Sequence, residues 1–177
     1  IAIARCDTSA MIEQMWSIGG SERDIPRNAA VDFNGNLYLT GTFRPSMDVD
    51  PGAGTTTLDS KGEDDIFYTS YTASGGFRYG IGLGGSNSDQ AGSGLLRYDP
   101  DTPSVQEVMV SGSFEGSIDI GSASTNLPIN LIGNGFIDIF NARYDSSAKL
   151  LNVNHFGGTE ADSEPIFKGI AFEGVHS

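Results

Sequence analysis

A chain of 177 residues is long enough to bury a substantial core, as one domain or at most two small ones. It carries 10 Lys and Arg against 23 Asp and Glu, a formal net charge of −13. Because binding nucleic-acid phosphates requires clustered cations, this balance argues against a nucleic-acid partner. An acidic surface favours solubility and cation association, and we expect an extracellular or cell-surface location.

No stretch approaches the roughly 20 apolar residues of a membrane span, so we expect none. Cys6 is the sole cysteine and cannot form an internal disulfide. Aligned with Ser70 and Ala142 in the repeat described below, it is predicted to be a small packed strand residue. The chain begins at Ile1 without an initiator Met, and we expect a fragment of a longer polypeptide.

The first predicted elements are two short strands. Residues 3–10 form a β-like run that leads into a polar turn. Residues 11–16 come nearest to helical periodicity, but they align with residues 77–81, which alternate like a strand. A strand is therefore predicted in both places.

Residues 28–43 give the clearest hairpin signal. Asn34 and Gly35 separate two runs rich in β-branched and aromatic residues. Asn-Gly suits the two positive φ angles of a type I′ turn, so this turn type is predicted. A further strand is predicted around residues 55–58, and a second hairpin over residues 65–83 that turns at residues 74–76.

The same order of predicted strands and turns then recurs in the second part of the chain. Residues 108–114 match residues 37–43 at an offset of 71, and residues 138–140 match residues 65–67 at an offset of 73. Another strand is predicted around residues 127–131. About four strands are thus expected in each unit.

Double glycines end the matched segments at residues 19–20, 84–85 and 157–158, which lie 65 and 73 residues apart. A repeated unit that cannot bury its apolar face alone must stack on its copies. We predict an all-β, β-propeller-type array of four-stranded antiparallel blades, incomplete at about two and a half blades because closed propellers use about 4 to 8. The units are the end of a preceding blade (1–20), blade repeat 1 (21–85), blade repeat 2 (86–158) and the start of blade repeat 3 (159–177).

The motifs resemble a known family, the secreted bacterial seven-bladed β-propeller repeats. The resemblance rests on Ala-Val-Asp-x-x-Gly-Asn-x-Tyr-x-Thr-Gly at residues 30–41, on residues 48–52 and 65–67, and on the closing Gly-Gly. It covers essentially the whole chain, although the second unit replaces Asp-Pro-Gly at 50–52 with Gly-Ser-Ala at 121–123. The family implies a scaffold or binding role with no catalytic residues to carry over.

Several carboxylates invite a calcium hypothesis, since oxygen ligands suit a hard cation. The candidate metal ligands are Asp48, Asp50, Asp64 and Asp65. Only the first and last of these recur, as Asp119 and Asp138, so hydrogen bonds to main-chain amides at turns are the alternative. The run at residues 32–36 resembles the start of a calcium loop but lacks a distal Glu, and an ordinary hairpin turn is favoured there.

Signals for catalysis are weak. His155 and His176 are the only histidines, and neither has the spacing of a nucleophile or metal motif. The glycine run at residues 80–85 leads into a loop rather than a helix, which argues against dinucleotide binding. No catalytic or cofactor-binding residues are therefore predicted, and a Ca²⁺ ion is the one cofactor considered.

The leading hypothesis is a non-catalytic extracellular segment of a larger surface protein that serves adhesion, display or assembly. Its expected partners are other protein subunits, missing blades of the same protein, or a glycan. The alternative is a glycosidase- or lyase-type enzyme, which would present two carboxylates about 5–10 Å apart in one concave pocket. The aromatic residues are expected in the core, with a minority exposed for stacking on carbohydrate: Trp16, Tyr38, Phe43, Phe67, Tyr68, Tyr71, Phe77 and Tyr79.

Overall fold

The computed structural model describes residues 1–98, 106–121 and 129–159, so the predicted start of blade repeat 3 lies almost entirely outside the described residues. The described part is all-β. Its strands, in chain order, are β1 (Ala2–Cys6), β2 (Ile12–Ser17), β3 (Ile25–Val31), β4 (Leu37–Phe43), β5 (Ser46–Asp48), β6 (Thr57–Asp59), β7 (Asp65–Tyr71), β8 (Phe77–Leu83), β9 (Gln90–Tyr98), β10 (Gln106–Phe114), β11 (Ser117–Ile120), β12 (Ile129–Ile132), β13 (Asp138–Asp145) and β14 (Leu150–Phe156).

Two four-stranded antiparallel sheets form the body of the structure. The first sheet has the order β3-β4-β7-β8 and the second the order β9-β10-β13-β14. Three two-stranded hairpins accompany them: the amino-terminal hairpin β1–β2, the first insert hairpin β5–β6 and the second insert hairpin β11–β12. The predictions of an all-β chain and of four-stranded antiparallel sheets are confirmed, while the unit boundaries stay predictions.

Each four-stranded sheet is built in the same way. In the sequence, the insert hairpin lies between the second and third strands of its sheet. It is tied to the double glycine of the preceding segment by isolated bridges, which pair Gly19 with Asp48 and Gly84 with Asp119. The repeat in the sequence is therefore a repeat in topology.

The hairpin turns share one backbone geometry. In the turn after β3, the Asp32 N–H donates to the Asn36 carbonyl and the Gly35 N–H donates to the Asp32 carbonyl. Only Gly35 in this turn has positive φ, so the predicted type I′ turn, which needs two such residues, is wrong. The Asp32 side chain selects a longer turn, because its Oδ1 accepts the N–H groups of both Asn34 and Asn36 at 2.8 Å.

The turn after β1 has the same hydrogen bonds as the turn after β7, and it shows that the predicted alignment of β1 with β7 is wrong by one residue. Asp7 N–H donates to the Met11 carbonyl, just as Thr72 N–H donates to the Gly76 carbonyl. Residues of β1 and β7 therefore correspond at an offset of 65, which places Cys6 at the position of Tyr71. Cys6 is exposed, so its predicted packing was wrong. A shift of one residue moves every strand side chain to the opposite face.

Two apolar cores lie on the two faces of the first sheet. The inter-sheet core lies between the two four-stranded sheets and includes Ile66, Tyr68 and Leu83 from the first, with Phe140 and Tyr144 from the second. The hairpin-side core lies on the opposite face of the first sheet. Its members come from the first sheet, the first insert hairpin and the amino-terminal segment: Ile18, Leu39, Phe43, Met47, Val49, Phe67 and Tyr71, with Ile1 and Ile3 packed against them.

The aromatic side chains are used mainly inside these cores. Tyr38, Phe43, Phe67, Tyr68 and Tyr71 are all buried, which confirms the core interpretation for them. No helix able to cross a bilayer occurs in the described part of the chain.

Candidate functional site

The structure assigns turn-forming roles to two of the four predicted metal ligands. Asp48 Oδ1 accepts the N–H groups of Asp50 at 3.0 Å and of Thr56 at 2.9 Å. Asp50 Oδ1 accepts the Gly52 N–H at 2.8 Å. These bonds close the loop between the strands of the first insert hairpin, as expected of aspartate in turns.

The other two predicted ligands lie in a different place. Asp64 is buried and pairs with two cations, Arg23 at 3.1 Å and Arg44 at 3.4 Å. Asp65 points into the sheet, where its Oδ2 accepts the Lys61 N–H at 2.9 Å. Within residues 1–98, 106–121 and 129–159, no three His, Cys, Asp or Glu side chains converge so that they could hold a metal ion. Calcium binding at these residues therefore stays a prediction.

The most unusual electrostatic feature is a buried carboxylate pair at the joint between the two sheets. Asp65 is 2% exposed and Asp89 is fully buried. Asp89 Oδ2 accepts the Gly85 N–H at 2.6 Å, and the Asp89 N–H donates to the Asp64 carbonyl at 2.6 Å. The Asp65 Oδ1 atom has no hydrogen-bond partner among the described residues. The two side chains flank the double glycine at residues 84–85.

Both carboxyls hold their protons more tightly than ordinary aspartates. Burial, together with the negative charge of Asp64, raises the pKa of Asp65 to about 6, although the Lys61 N–H and the Lys61 charge act in the opposite direction. Burial likewise raises the pKa of Asp89 to about 7, and the nearby Asp65 and Glu115 carboxylates act in the same direction. Perturbed carboxyls of this kind occur both at functional sites and in structural networks.

Close packing explains the double glycines at residues 19–20 and 84–85. The insert-hairpin backbone lies so close that a Cβ on Gly85 would overlap the Ser117 carbonyl, and one on Gly20 the Ser46 carbonyl. A Cβ on Gly84 would overlap the Asp65 carboxylate. Glycine is therefore required where the insert hairpin meets the sheet joint.

Sequence reasoning missed one element of this joint. In each unit the double glycine is followed four residues after its second glycine by an aspartate, at positions 24, 89 and 162. Asp24 Oδ2 accepts the Gly20 N–H at 2.6 Å, as Asp89 does for Gly85. The recurrent spacing Gly-Gly-x-x-x-Asp was visible in the sequence and could have identified these side chains as caps of the glycine turn.

Two concave pockets open beside the amino-terminal hairpin. The first, the acidic pocket, has a volume of about 420 Å³ and is lined by Ile1, Ser17, Ile18, Gly19, Gly20, Glu22, Asp24, Asp48 and Asp50. Three of its four carboxylates already accept main-chain N–H bonds: Asp24, Asp48 and Asp50. The acidic pocket therefore brings together four acidic side chains from two separate segments of the sequence, residues 22–24 and 48–50.

The second pocket, the aromatic pocket, has a volume of about 380 Å³. Its lining combines ring faces, amides and main chain: Gln14, Met15, Trp16, Asp50, Pro51, Gly52, Ser74, Gly75, Gly76 and Phe77. Trp16 and Phe77 are half-buried, unlike the fully buried core aromatics. A pocket of this size with a few polar groups suits a small ligand or one residue of a larger one.

The remaining sequence candidates have structural surroundings. His155 lies in β14, half-buried, with its ring 6.1 Å from that of Phe114. His176 lies outside the described residues. Asp32 accepts the Tyr38 hydroxyl at 3.0 Å in addition to its turn bonds, which confirms the turn interpretation of residues 32–36. No model of a known protein family matches this chain, and neither does any curated protein sequence.

Proposed function

We propose that the chain is a segment of a β-propeller-type array that acts as a non-catalytic binding and assembly module of a larger extracellular or cell-surface protein. One observation carries this proposal: among the described residues, two equivalent four-stranded sheets stack on each other through a shared apolar core, and exposed apolar side chains lie on the outward faces of the stack. The resemblance to secreted bacterial propeller repeats agrees with it.

The stacking follows a single rule along the chain. Phe67 and Tyr71 pack in the hairpin-side core, and their equivalents Phe140 and Tyr144 pack in the inter-sheet core. Each unit thus contributes the same positions to the core that precedes it. A rule that adds one layer for every repeat supports a longer array.

Exposed apolar side chains on the outward faces of the described stack support an assembly role. On the amino-terminal hairpin, Ile12 is 62% and Met15 is 70% exposed. On the last strand of the second sheet, Phe156 is 57% exposed. Grouped exposed apolar side chains are typical of surfaces that contact a partner.

The aromatic pocket supports a glycan as the second class of partner. Sugar rings stack on aromatic side chains, and their hydroxyl groups bind carboxylates and amides such as those of Asp50 and Gln14. Binding of the chain to a glycan array is the direct test, with Trp16→Ala as the variant and Phe33→Ala, an exposed aromatic outside the pocket, as the matched control. Glycan signals that are lost in Trp16→Ala and kept in Phe33→Ala support the proposal.

The array itself is tested by small-angle X-ray scattering of the chain. A particle whose dimensions match stacked, radially arranged sheets supports the propeller-type array. An extended particle without sheet stacking contradicts it. Because glycan binding and particle shape are measured separately, the failure of one leaves the other informative.

The acidic pocket favours the alternative, a glycosidase- or lyase-type enzyme. It brings Glu22 and Asp24 into one concavity with Asp48 and Asp50, and paired carboxylates in a pocket are what glycoside hydrolysis requires. The main-chain bonds of three of these carboxylates favour a structural use instead. Release of product from polysaccharides, abolished by Glu22→Gln, would establish the enzyme and displace the binding module.

A further inference from the structure

The sequence contains two Asn-Gly pairs, at residues 34–35 and 134–135. The first lies between β3 and β4, and the second between β12 and β13. An asparagine side chain rearranges most readily when glycine follows it, because glycine has no side chain to keep its main-chain nitrogen away from the asparagine carboxamide. The same reactive sequence is thus present in two loops, and the structure surrounds it differently in each.

The first Asn-Gly pair is held by hydrogen bonds. The Gly35 N–H donates to the Asp32 carbonyl at 2.9 Å, and the Asn34 N–H donates to Asp32 Oδ1 at 2.8 Å. The Asp32 carboxylate that organises this turn is itself buried. Because the Gly35 nitrogen is engaged, it can attack the neighbouring carboxamide only after the turn has opened.

The second pair is anchored on one side only. The Asn134 N–H donates to Asp138 Oδ2 at 2.5 Å, which holds the main chain of Asn134 in place. No described residue accepts a hydrogen bond from the Gly135 N–H. Asn134 is exposed, and its Nδ2 lies 3.5 Å from the Nε2 of His155. Here the nitrogen of the glycine is available, and an imidazole lies next to the carboxamide.

We propose that Asn134 is a site of spontaneous deamidation through a succinimide, with His155 assisting, and that the turn around Asn34 protects it from the same reaction. The Gly135 nitrogen loses its proton to water and forms a bond to Asn134 Cγ. The Cγ–Nδ2 bond breaks, and the leaving nitrogen takes up a proton and departs as ammonia. Water then opens the ring at either carbonyl, which gives aspartate or isoaspartate. Water is the only co-reactant.

His155 lies where it can deliver the proton that the leaving nitrogen needs. Its Nε2 is adjacent to Asn134 Nδ2, the atom that departs. A side chain positioned in this way accelerates a reaction by supplying a proton in the transition state. The product is a carboxylate beside the same imidazole, which adds one negative charge to a chain of net charge −13.

The first unit provides a matched control for this loop. Lys61 occupies the equivalent place at the offset of 73, and its N–H donates to Asp65 Oδ2 as the Asn134 N–H donates to Asp138. The loop therefore keeps its main-chain anchor with either side chain. Asn134→Lys removes the reactive carboxamide and restores the residue that the first unit uses.

The test follows both asparagines in the full chain during incubation at neutral pH. Peptide mapping by mass spectrometry quantifies conversion, and electron-based fragmentation distinguishes isoaspartate from aspartate. We expect Asn134 to convert about tenfold or more faster than Asn34 in the folded chain, because opening of the first turn must precede reaction there. In urea, where neither loop is formed, the two should convert at similar rates. Asn134→Lys should leave the rate at Asn34 unchanged.

The proposal is overturned if Asn134 and Asn34 convert equally in the folded chain. Formation of aspartate without isoaspartate would also overturn it, because direct hydrolysis does not pass through a succinimide. His155→Gln should slow conversion of Asn134 several-fold and leave Asn34 unaffected, and an unchanged rate would overturn the part assigned to the imidazole. Each of these outcomes is independent of glycan binding and of the particle shape.

Discussion

Strands β7 and β13 occupy equivalent places in their sheets but differ in burial. All seven residues of β7 are buried. In β13 buried and half-buried residues alternate, and the half-buried set includes Ile139, Asn141 and Arg143. β7 is covered by the hairpin-side core on one face and by the inter-sheet core on the other, whereas β13, in the part of the chain that the structure describes, contributes only to the inter-sheet core.

The difference teaches that position in the stack decides burial in this fold. The inter-sheet face of β7 carries Ile66, Tyr68 and Ser70, and the corresponding face of β13 carries Ile139, Asn141 and Arg143. Tyr68 contacts the second sheet through Tyr144, with ring centroids 5.3 Å apart.

The largest expected effect tests this pair of positions. Tyr68→Ala should lower the free energy of unfolding by about 3–5 kcal/mol, because it empties a fully buried site and removes the hydrogen bond to the Tyr79 hydroxyl. Asn141→Ala should cost less than about 1 kcal/mol. Urea denaturation measures both, and equal losses would show that the two faces are covered alike.

A smaller effect is expected from two strand glycines of the first sheet. Gly41→Ala should destabilise by about 1–3 kcal/mol, because the new Cβ would collide with the Ile25 carbonyl and the Phe67 ring. In Gly82→Ala the nearest atom to the new Cβ is 3.9 Å away, in the Phe43 ring, so its stability should stay within about 0.5 kcal/mol. A neutral Gly41→Ala would mean that the doubly covered sheet packs less tightly than described.

The buried joint predicts that the free energy of unfolding depends on pH with a slope on the order of 1 kcal/mol per pH unit. Asp65 and Asp89 have folded-state pKa values of about 6 and about 7, above the ordinary value of 3.8. The folded state therefore binds more protons between these values, and stability should fall as the pH rises from 5 to 8. Chemical denaturation at several pH values measures this slope.

Two matched variants distinguish the pH dependence that arises from the buried joint from any that arises from the turn aspartates. Asp89→Asn keeps an acceptor for the Gly85 N–H and should flatten the slope between pH 5 and 8. Hydrogen bonds from Ser147 and Lys149 lower the pKa of Asp145 despite partial burial, so that turn loses stability only as the pH falls below 3.8. Asp145→Asn should therefore leave the slope between pH 5 and 8 unchanged, and a flattened slope in that variant would contradict the assignment.

The smallest effect concerns the predicted calcium ligands. Because the Asp48, Asp50 and Asp65 carboxylates accept main-chain N–H groups and Asp64 pairs with arginines, we expect a chelator to change Tm by less than about 1 °C. Melting with added Ca²⁺ provides the comparison. A rise of several degrees, lost in Asp48→Asn, would instead establish the metal site.

Local signals made much of the architecture predictable. The hairpins at residues 28–43 and 65–83 were found because alternation and turn residues act over a few positions, and both are formed by the predicted strands. The predicted turn type was wrong because the Asp32 side chain accepts the Asn36 N–H across the loop and so stabilises a longer turn. The placement of Cys6 failed because a shift of one residue leaves the sequence match plausible but reverses the face.

The sequence by itself determined the strand repeat, the positions of the turns and the glycine spacing, because these depend on residues close together in the chain. Only the tertiary structure decided that Asp65 and Asp89 lie on either side of the double glycine at residues 84–85, that four carboxylates share the acidic pocket, and which face of each strand is covered. Side chains of a strand alternate between its two faces, so the local sequence does not say which face is buried. The segments that cover each face are distant in the sequence.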